Sequence, residues 1–248
     1  MLLLLPPSET KRPGGADGTK LTYRELGFPE LTSARRAVVE AVRRLARDPD
    51  AAAAALRLGP RQRDEIAANR AILRSPVLPA LDRYDGVLYD ALDAGTLSRA
   101  ERAFAGRHVA IASAAFGLTL AEDPIPAYRL SHDSRLPGLS LPRHWRAPLA
   151  DLLAATPGLL LDLRSEAYAA LGPLPGRDDA VFVRVVSQGE DGRRRALNHF
   201  NKAGKGAFTR RVLEAGVVHE SVDALLDWAH GEGIVLERSE AGELELVV

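Results

Sequence analysis

Three short apolar runs constrain this fold more than any other feature: LLLL at 2–5, HVAIASAAFG at 108–117 and GLLLDL at 158–163. Each is short, and the first two end at breakers, Pro6-Pro7 and Gly117. A continuous apolar run without alternation reads as a strand covered on both faces. Segments of helical period separate them: 32–47 with Val38, Val42 and Leu45 on one face, a stretch after Pro60 carrying Ile66 and Leu73, a helix from Ser98, and another over 145–155. Toward the end, AVFVRVVSQ (180–188) alternates as a strand does and can pair with RRRALNHF (193–200) across GEDG. Helices follow over 202–215 and 220–230, and IVLERSEAGELELVV closes as a hairpin. The expected fold is α/β, mixed α+β in detail: a central mixed β-sheet surrounded by helices. No linker or repeat interrupts the chain, so residues 1–248 read as one domain.

Composition removes several function classes. There is no cysteine, so disulfides, thiolate metal sites and a cysteine nucleophile are excluded. The six histidines show no ligand spacing, and no metal and no cofactor are expected. No P-loop and no Gly-x-Ser-x-Gly elbow is present. MLLLLPPSETK lacks the cationic start and long apolar stretch of a signal peptide, and no run approaches a membrane span. A cytoplasmic protein with no membrane partner is expected; its oligomeric state stays open. Lys+Arg and Asp+Glu are 33 each, so any electrostatic argument has to be local.

Locally the balance breaks. From Gly192 to Leu213 the chain holds Arg193, Arg194, Arg195, Lys202, Lys205, Arg210 and Arg211, with no acid. Glycines beside lysines let a backbone approach a phosphate, and a helix N-terminus adds aligned N–H groups. Lys202, Lys205 and Thr209, at i, i+3 and i+7, fall on one helical face. A solvated helix start after a hairpin would carry the same charge. GKGAFTRRVL also shares two spaced glycines with the second half of a helix-hairpin-helix motif, but Lys205 stands where that motif wants an apolar residue.

Two other stretches are candidates. In LDLRSEAY (161–168) Ser165 sits where an N-cap belongs and Glu166 complements the helix dipole. The same strand-to-helix turn is where open sheets collect ligands, so Ser165, Glu166 and Tyr168 can line a site. In PAYRLSHD (126–133), within a proline-rich loop over 119–144, Tyr128 and Arg129 can hold a planar or anionic ligand, or staple the loop to the core.

Four segments in this order, LLLLPPSETK, PAYRL, LDLRSEAY and FNKAGKGAFTRRVL, resemble the YaaA family of bacterial peroxide-stress proteins, over residues 2 to about 238. The resemblance implies a single α/β unit of the family's own type with a positively charged cleft. It implies DNA binding and a part in limiting iron-linked oxidative damage. The matching positions are Tyr128, Arg129, Ser165, Glu166, Tyr168, Lys202, Lys205, Gly206 and Arg210. Two departures stand out: PPSETK replaces the SPAKT form, which leaves Lys11 outside the expected site, and SEAY replaces SDEY.

Two functions follow. In the first, the cleft binds the DNA phosphate backbone without sequence preference through Arg129, Lys202, Lys205, Gly206, Arg210 and Tyr128, with Arg193 to Arg195 as further phosphate contacts. In the second, the same cleft is an enzyme's, acting on a small anionic substrate, with Lys202, Ser165, Glu166 and Tyr168 as catalytic candidates. Direct iron sequestration is a third option that the cysteine and histidine pattern disfavours. The first is the primary expectation.

Overall fold

The computed structural model describes residues 1–188, 194–196 and 200–248. Its strands are β1 (Leu2–Leu5), β2 (Val77–Pro79), β3 (Val109–Ser113), β4 (Gly117–Leu120), β5 (Pro124–Pro126), β6 (Leu160–Asp162), β7 (Ala180–Gln188), β8 (Arg194–Ala196), β9 (Leu236–Arg238) and β10 (Leu244–Val247). Its helices are α1 (Thr32–Leu45), α2 (Pro49–Ala55), α3 (Glu65–Ala71), α4 (Ala80–Arg83), α5 (Val87–Leu92), α6 (Arg99–His108), α7 (Leu141–Ala155), α8 (Glu166–Ala169), α9 (Phe200–Ala215) and α10 (Val222–Gly231).

Among the described residues, one eight-stranded sheet runs β4-β3-β1-β6-β7-β10-β9, with β8 paired to β7. β3, β1, β6, β7 and β10 are mutually parallel, and β4, β8 and β9 add antiparallel edges. β2 and β5 form a separate antiparallel pair. The expected mixed α/β class is therefore the observed one, and the expected pairing of 180–188 with the segment after it and the closing hairpin are both present. The GEDG turn and Arg193 lie outside the described residues.

β1 is buried along its whole length because β3 and β6 cover its two edges and helices cover its faces. The chain leaves β1, returns as β3 on one side, and later as β6 on the other. That reversal opens a crevice beyond the carboxyl ends of β1, β3 and β6. The loops after these strands carry Pro6–Lys11, Ser113–Phe116 and Leu163–Ser165 into it.

Two packing choices set the walls. Gly117, at φ 74°, begins β4, and a Cβ there would sit 2.7 Å from the Trp145 ring. Trp145 is fully buried and donates its indole N–H to the Ala114 carbonyl at 2.9 Å, tying α7 to the loop after β3. On the other side α9 lies against α5 at Gly206, where a Cβ would come 2.1 Å from the Leu88 carbonyl oxygen. The close backbone approach that Gly206 permits is thus to α5.

Candidate functional site

The segment after β1 is held from several directions. Tyr89 on α5 donates its hydroxyl to the Pro6 carbonyl at 2.8 Å. Lys11 forms a bridge with Tyr84, and the Arg12 N–H donates to the Arg83 carbonyl at 2.9 Å. The Arg83 guanidinium, fully buried, donates in turn to the carbonyls of Arg12, Gly14, Pro76 and Ile125. An arginine can do this because its fork offers five donors, and every acceptor here is a neutral backbone oxygen. Burial without a carboxylate partner lowers the Arg83 pKa to about 10.

This clamp brings Lys11 to Tyr128. A cavity of about 310 Å³ is lined by Glu9, Lys11, Gln62, Glu65, Tyr128 and Arg129, among others. The Lys11 Nζ lies 4.4 Å above the Tyr128 ring and 5.6 Å from that of Tyr84, and donates to the Glu9 carbonyl at 3.1 Å. The residue keeps partial exposure while its amine lies inward over the rings. Desolvation, with the neighbouring Arg129 charge second, lowers the Lys11 pKa to about 7; Glu9 and Glu65 oppose the shift. Arg129 bridges Glu9 and, at 3.2 Å, Glu65. Its backbone is fixed by Asn69, which accepts the Arg129 N–H at 2.8 Å and donates to the Arg129 carbonyl at 2.7 Å.

A chain of hydroxyls runs behind the cavity. Ser113 Oγ accepts the N–H groups of Ala115 and Phe116 at 3.2 and 3.0 Å. Both serine lone pairs are then occupied, so its proton goes to Tyr128, whose hydroxyl is 2.7 Å away. Tyr128 must then donate to Tyr84, at 2.8 Å. No acceptor among the described residues takes the Tyr84 proton. Burial, above all, raises the pKa of both phenols, so the chain stays protonated.

The lowered Lys11 pKa has a sign that can be checked. Below about pH 7 the folded and unfolded amines both hold a proton and the fold bears the full burial penalty; above the ordinary value of 10.5 neither does. Lys11→Met is therefore expected to raise stability at pH 6 by on the order of 1–2 kcal/mol, discounted for partial exposure. The gain should fade as pH climbs from 7 to 10.5, measured by urea denaturation across that range. A gain that grows with pH has the opposite sign and removes the argument.

The other expected residues are placed as follows. Ser165 caps α8, accepting the Tyr168 N–H at 3.4 Å. Glu166 is exposed and pairs with Arg184 at 2.9 Å. Tyr168 stands 5.3 Å from the His132 ring, and its pKa is raised by burial first and by Tyr128 and Glu9 next; it is not among the residues that line the cavity. Lys202 is exposed on the first turn of α9, whereas Lys205 is buried. The Lys205 Nζ donates to the Arg164 carbonyl at 3.1 Å and lies 5.3 Å from the Phe182 ring. Burial lowers its pKa to about 8, with Asp162 opposing. Arg210 donates to Glu214, the Asp93 carbonyl and Thr96, which staples α9 to the end of α5. The shared face expected for Lys202, Lys205 and Thr209 is thus split: Thr209 and Lys205 face the core and Lys202 faces solvent.

Sequence reasoning missed Lys11, Tyr84, Ser113 and Arg83. One signal was available for Lys11: only four of the 33 cationic side chains are lysine, at 11, 20, 202 and 205. Among the described residues no three His, Asp or Glu side chains gather where one metal ion could be held. No helix among them is long and apolar enough to cross a membrane.

The chain is 42% identical over 255 aligned positions to a UPF0246 protein of Corynebacterium efficiens, covering all of both chains. It is 43% identical to a UPF0246 protein of Streptomyces coelicolor, covering 92% of this chain and 90% of the relative. A UPF0246 protein of Corynebacterium glutamicum is 40% identical over 96% of each. A family model described as "Peroxide stress protein YaaA" matches residues 1–235. The chain belongs to the YaaA family of peroxide stress proteins.

Proposed function

We propose that this peroxide-stress protein is an enzyme that takes a small anionic substrate into the cavity of Lys11, Tyr128 and Arg129. The observation that carries this is the Lys11 amine, inside a cavity of about 310 Å³, 4.4 Å above the Tyr128 ring. A volume of that size suits a small molecule. In this reading Arg129 exchanges the half-exposed carboxylates of Glu9 and Glu65 for the anionic group of the substrate. Lys11, whose pKa burial lowers to about 7, serves as base or nucleophile. Of the Ser113–Tyr128–Tyr84 chain, Tyr128 lines the cavity, and its hydroxyl, turned from Tyr84, donates to an oxygen that gains charge.

DNA binding is the second reading, favoured by one observation: Lys202 is exposed on the first turn of α9, which carries no acidic residue. Phosphate tracking needs several exposed cations. Of the positions expected for it, Lys205 is buried, Arg129 and Arg210 are engaged by acids, and Gly206 serves the contact with α5, while the side chains of Arg193 to Arg195 lie outside what is described. The enzyme reading is therefore preferred.

A thermal-shift screen of small carboxylates and phosphates, beside duplex-DNA binding over a salt series, separates the two. Small anions should raise the melting temperature of the wild type and not of Arg129→Gln, and duplex binding should be weak. Micromolar duplex binding with a steep negative salt slope that Lys202→Ala flattens, and no anion-dependent shift, would transfer the conclusion to DNA.

A further inference from the structure

We propose that Lys11 condenses with the carbonyl carbon of its substrate to form an imine, so that the substrate class is a small aldehyde or ketone carrying a carboxylate or phosphate. This rests on the small-anion reading above and adds a covalent step to it.

Lysine is rare in this chain, with four against 29 arginines among the 33 cationic residues. The chain uses arginine almost throughout, including at its fully buried cations Arg35, Arg83 and Arg164. Each of these holds backbone carbonyls or a carboxylate through several N–H groups. Arginine serves wherever a fixed, charged donor is wanted, because even the buried ones keep their proton at neutral pH. A lysine with a buried amine offers what arginine lacks, a neutral nitrogen with a lone pair. Lys20 and Lys202 are exposed, which leaves Lys11 and Lys205. Lys205 is 4% exposed and its amine is turned onto the Arg164 carbonyl. Lys11 lines a cavity, and a single protein acceptor takes one of its hydrogens.

Arg129 lines the same cavity and can hold an anionic group next to the carbonyl. Burial first, and then the Arg129 charge, favour the neutral amine; Glu9, Glu65 and the ring faces of Tyr128 and Tyr84 act the other way. Tyr128 is the member of the hydroxyl chain that lines the cavity, with Ser113 and Tyr84 hydrogen-bonded behind it.

The step balances without an oxidant or a second reactant. The Lys11 lone pair forms the N–C bond, and the carbonyl π pair moves to oxygen, which takes the proton of the Tyr128 hydroxyl. The nitrogen gives a proton back to that tyrosine oxygen, leaving a neutral carbinolamine. A proton from solvent then joins the carbinolamine oxygen as the C–O bond breaks, the nitrogen lone pair closes the C=N bond, one water leaves, and the protonated imine remains. Oxidative damage to sugars and amino acids leaves carbonyl groups, so a reaction of that class would supply such a substrate to a peroxide-stress protein.

The test uses the full chain at pH 7 with glyoxylate, an aldehyde bearing a carboxylate, and cyanoborohydride to fix any imine as a stable amine, followed by peptide mapping. Labelling of Lys11 is expected to exceed that of Lys20 and Lys202 by about 100-fold or more, from the difference in neutral fraction. The Met1 amine, also lowered by burial, is separated by the mapping. Lys205→Arg should keep the label, and Tyr128→Phe should slow it roughly tenfold while leaving the glyoxylate-dependent rise in melting temperature. Label spread evenly over the lysines, or absent from Lys11 in folded wild type, overturns the imine. If glyoxylate still raises the melting temperature of the wild type and not of Arg129→Gln, the small-anion reading survives that failure. If neither shift nor label occurs, both fall.

Discussion

Arg83→Ala is expected to cost about 3–5 kcal/mol of stability and to remove the labelling of Lys11. The side chain is fully buried and its guanidinium donates to four carbonyls, those of Arg12, Gly14, Pro76 and Ile125. These belong to three separate stretches: the segment after β1, the entry to β2, and β5. A buried carbonyl left without a donor costs about 1–3 kcal/mol, and emptying so large a side chain adds a cavity term. Two effects reduce the sum. Water can enter the emptied space and serve some of the oxygens. The wild type also bears the cost of desolvating a guanidinium with no carboxylate partner, which is what lowers its pKa. Equilibrium urea unfolding measures the loss. Arg12→Ala is the control, since that side chain is half exposed and its ion pair with Asp85 is 3.6 Å long; it should stay within about 0.5 kcal/mol of wild type. If Arg83→Ala costs less than about 1 kcal/mol, the clamp does not hold the segment that carries Lys11.

The parts of this fold that were legible are those whose signal is local. A run such as LLLL cannot sit anywhere but between two strands and under helices, and β1 does so. Ser165 reads as an N-cap because capping needs only a short side chain and an N–H three residues on, and it caps α8. Tyr128 and Arg129 were named from a proline-bound loop, and both line the cavity. Their partners were not legible, because the contacts span the chain: Tyr84 is 44 residues from Tyr128, and Glu9 is 120 from Arg129. The basic segment misled for a related reason. Charge is visible in sequence and burial is not, so Lys205 and Lys202 look alike until α9 is laid against α5 and β7. Buried arginines hide in the same way. Ordinary expectation puts arginine outside, and the shared reason for Arg35, Arg83 and Arg164, orphan carbonyls or a carboxylate that must be met from within, exists only once the strands and loops are assembled.

Asp162→Ala is expected to cost about 3–5 kcal/mol, while a double replacement at the same pair costs much less. Asp162 ends β6 and Arg164 follows two residues on, both essentially without solvent exposure. The carboxylate accepts the Arg164 backbone N–H at 3.0 Å, its Nε at 2.8 Å and a terminal nitrogen at 2.6 Å. The guanidinium reaches the Gly172 carbonyl at 2.9 Å, and its Nη1 has no partner among the described residues. Removing Asp162 leaves a buried charge with one neutral acceptor. It also removes the negative charge that favours the protonated form of Lys205, so that amine becomes harder to keep charged. The pair itself gains little over an apolar core, because two charges were desolvated to make it. Asp162→Leu with Arg164→Met removes both charges and fills the space, and its Lys205 can relax to the neutral amine on the same Arg164 backbone carbonyl. A double-mutant cycle of Asp162→Leu, Arg164→Met and their combination, by urea unfolding, should therefore return a coupling of roughly 2–3 kcal/mol, with the double variant clearly more stable than Asp162→Leu or Asp162→Ala. A double variant as unstable as the single one would place the cost in lost packing at the end of β6, and the isolated charge would no longer explain it.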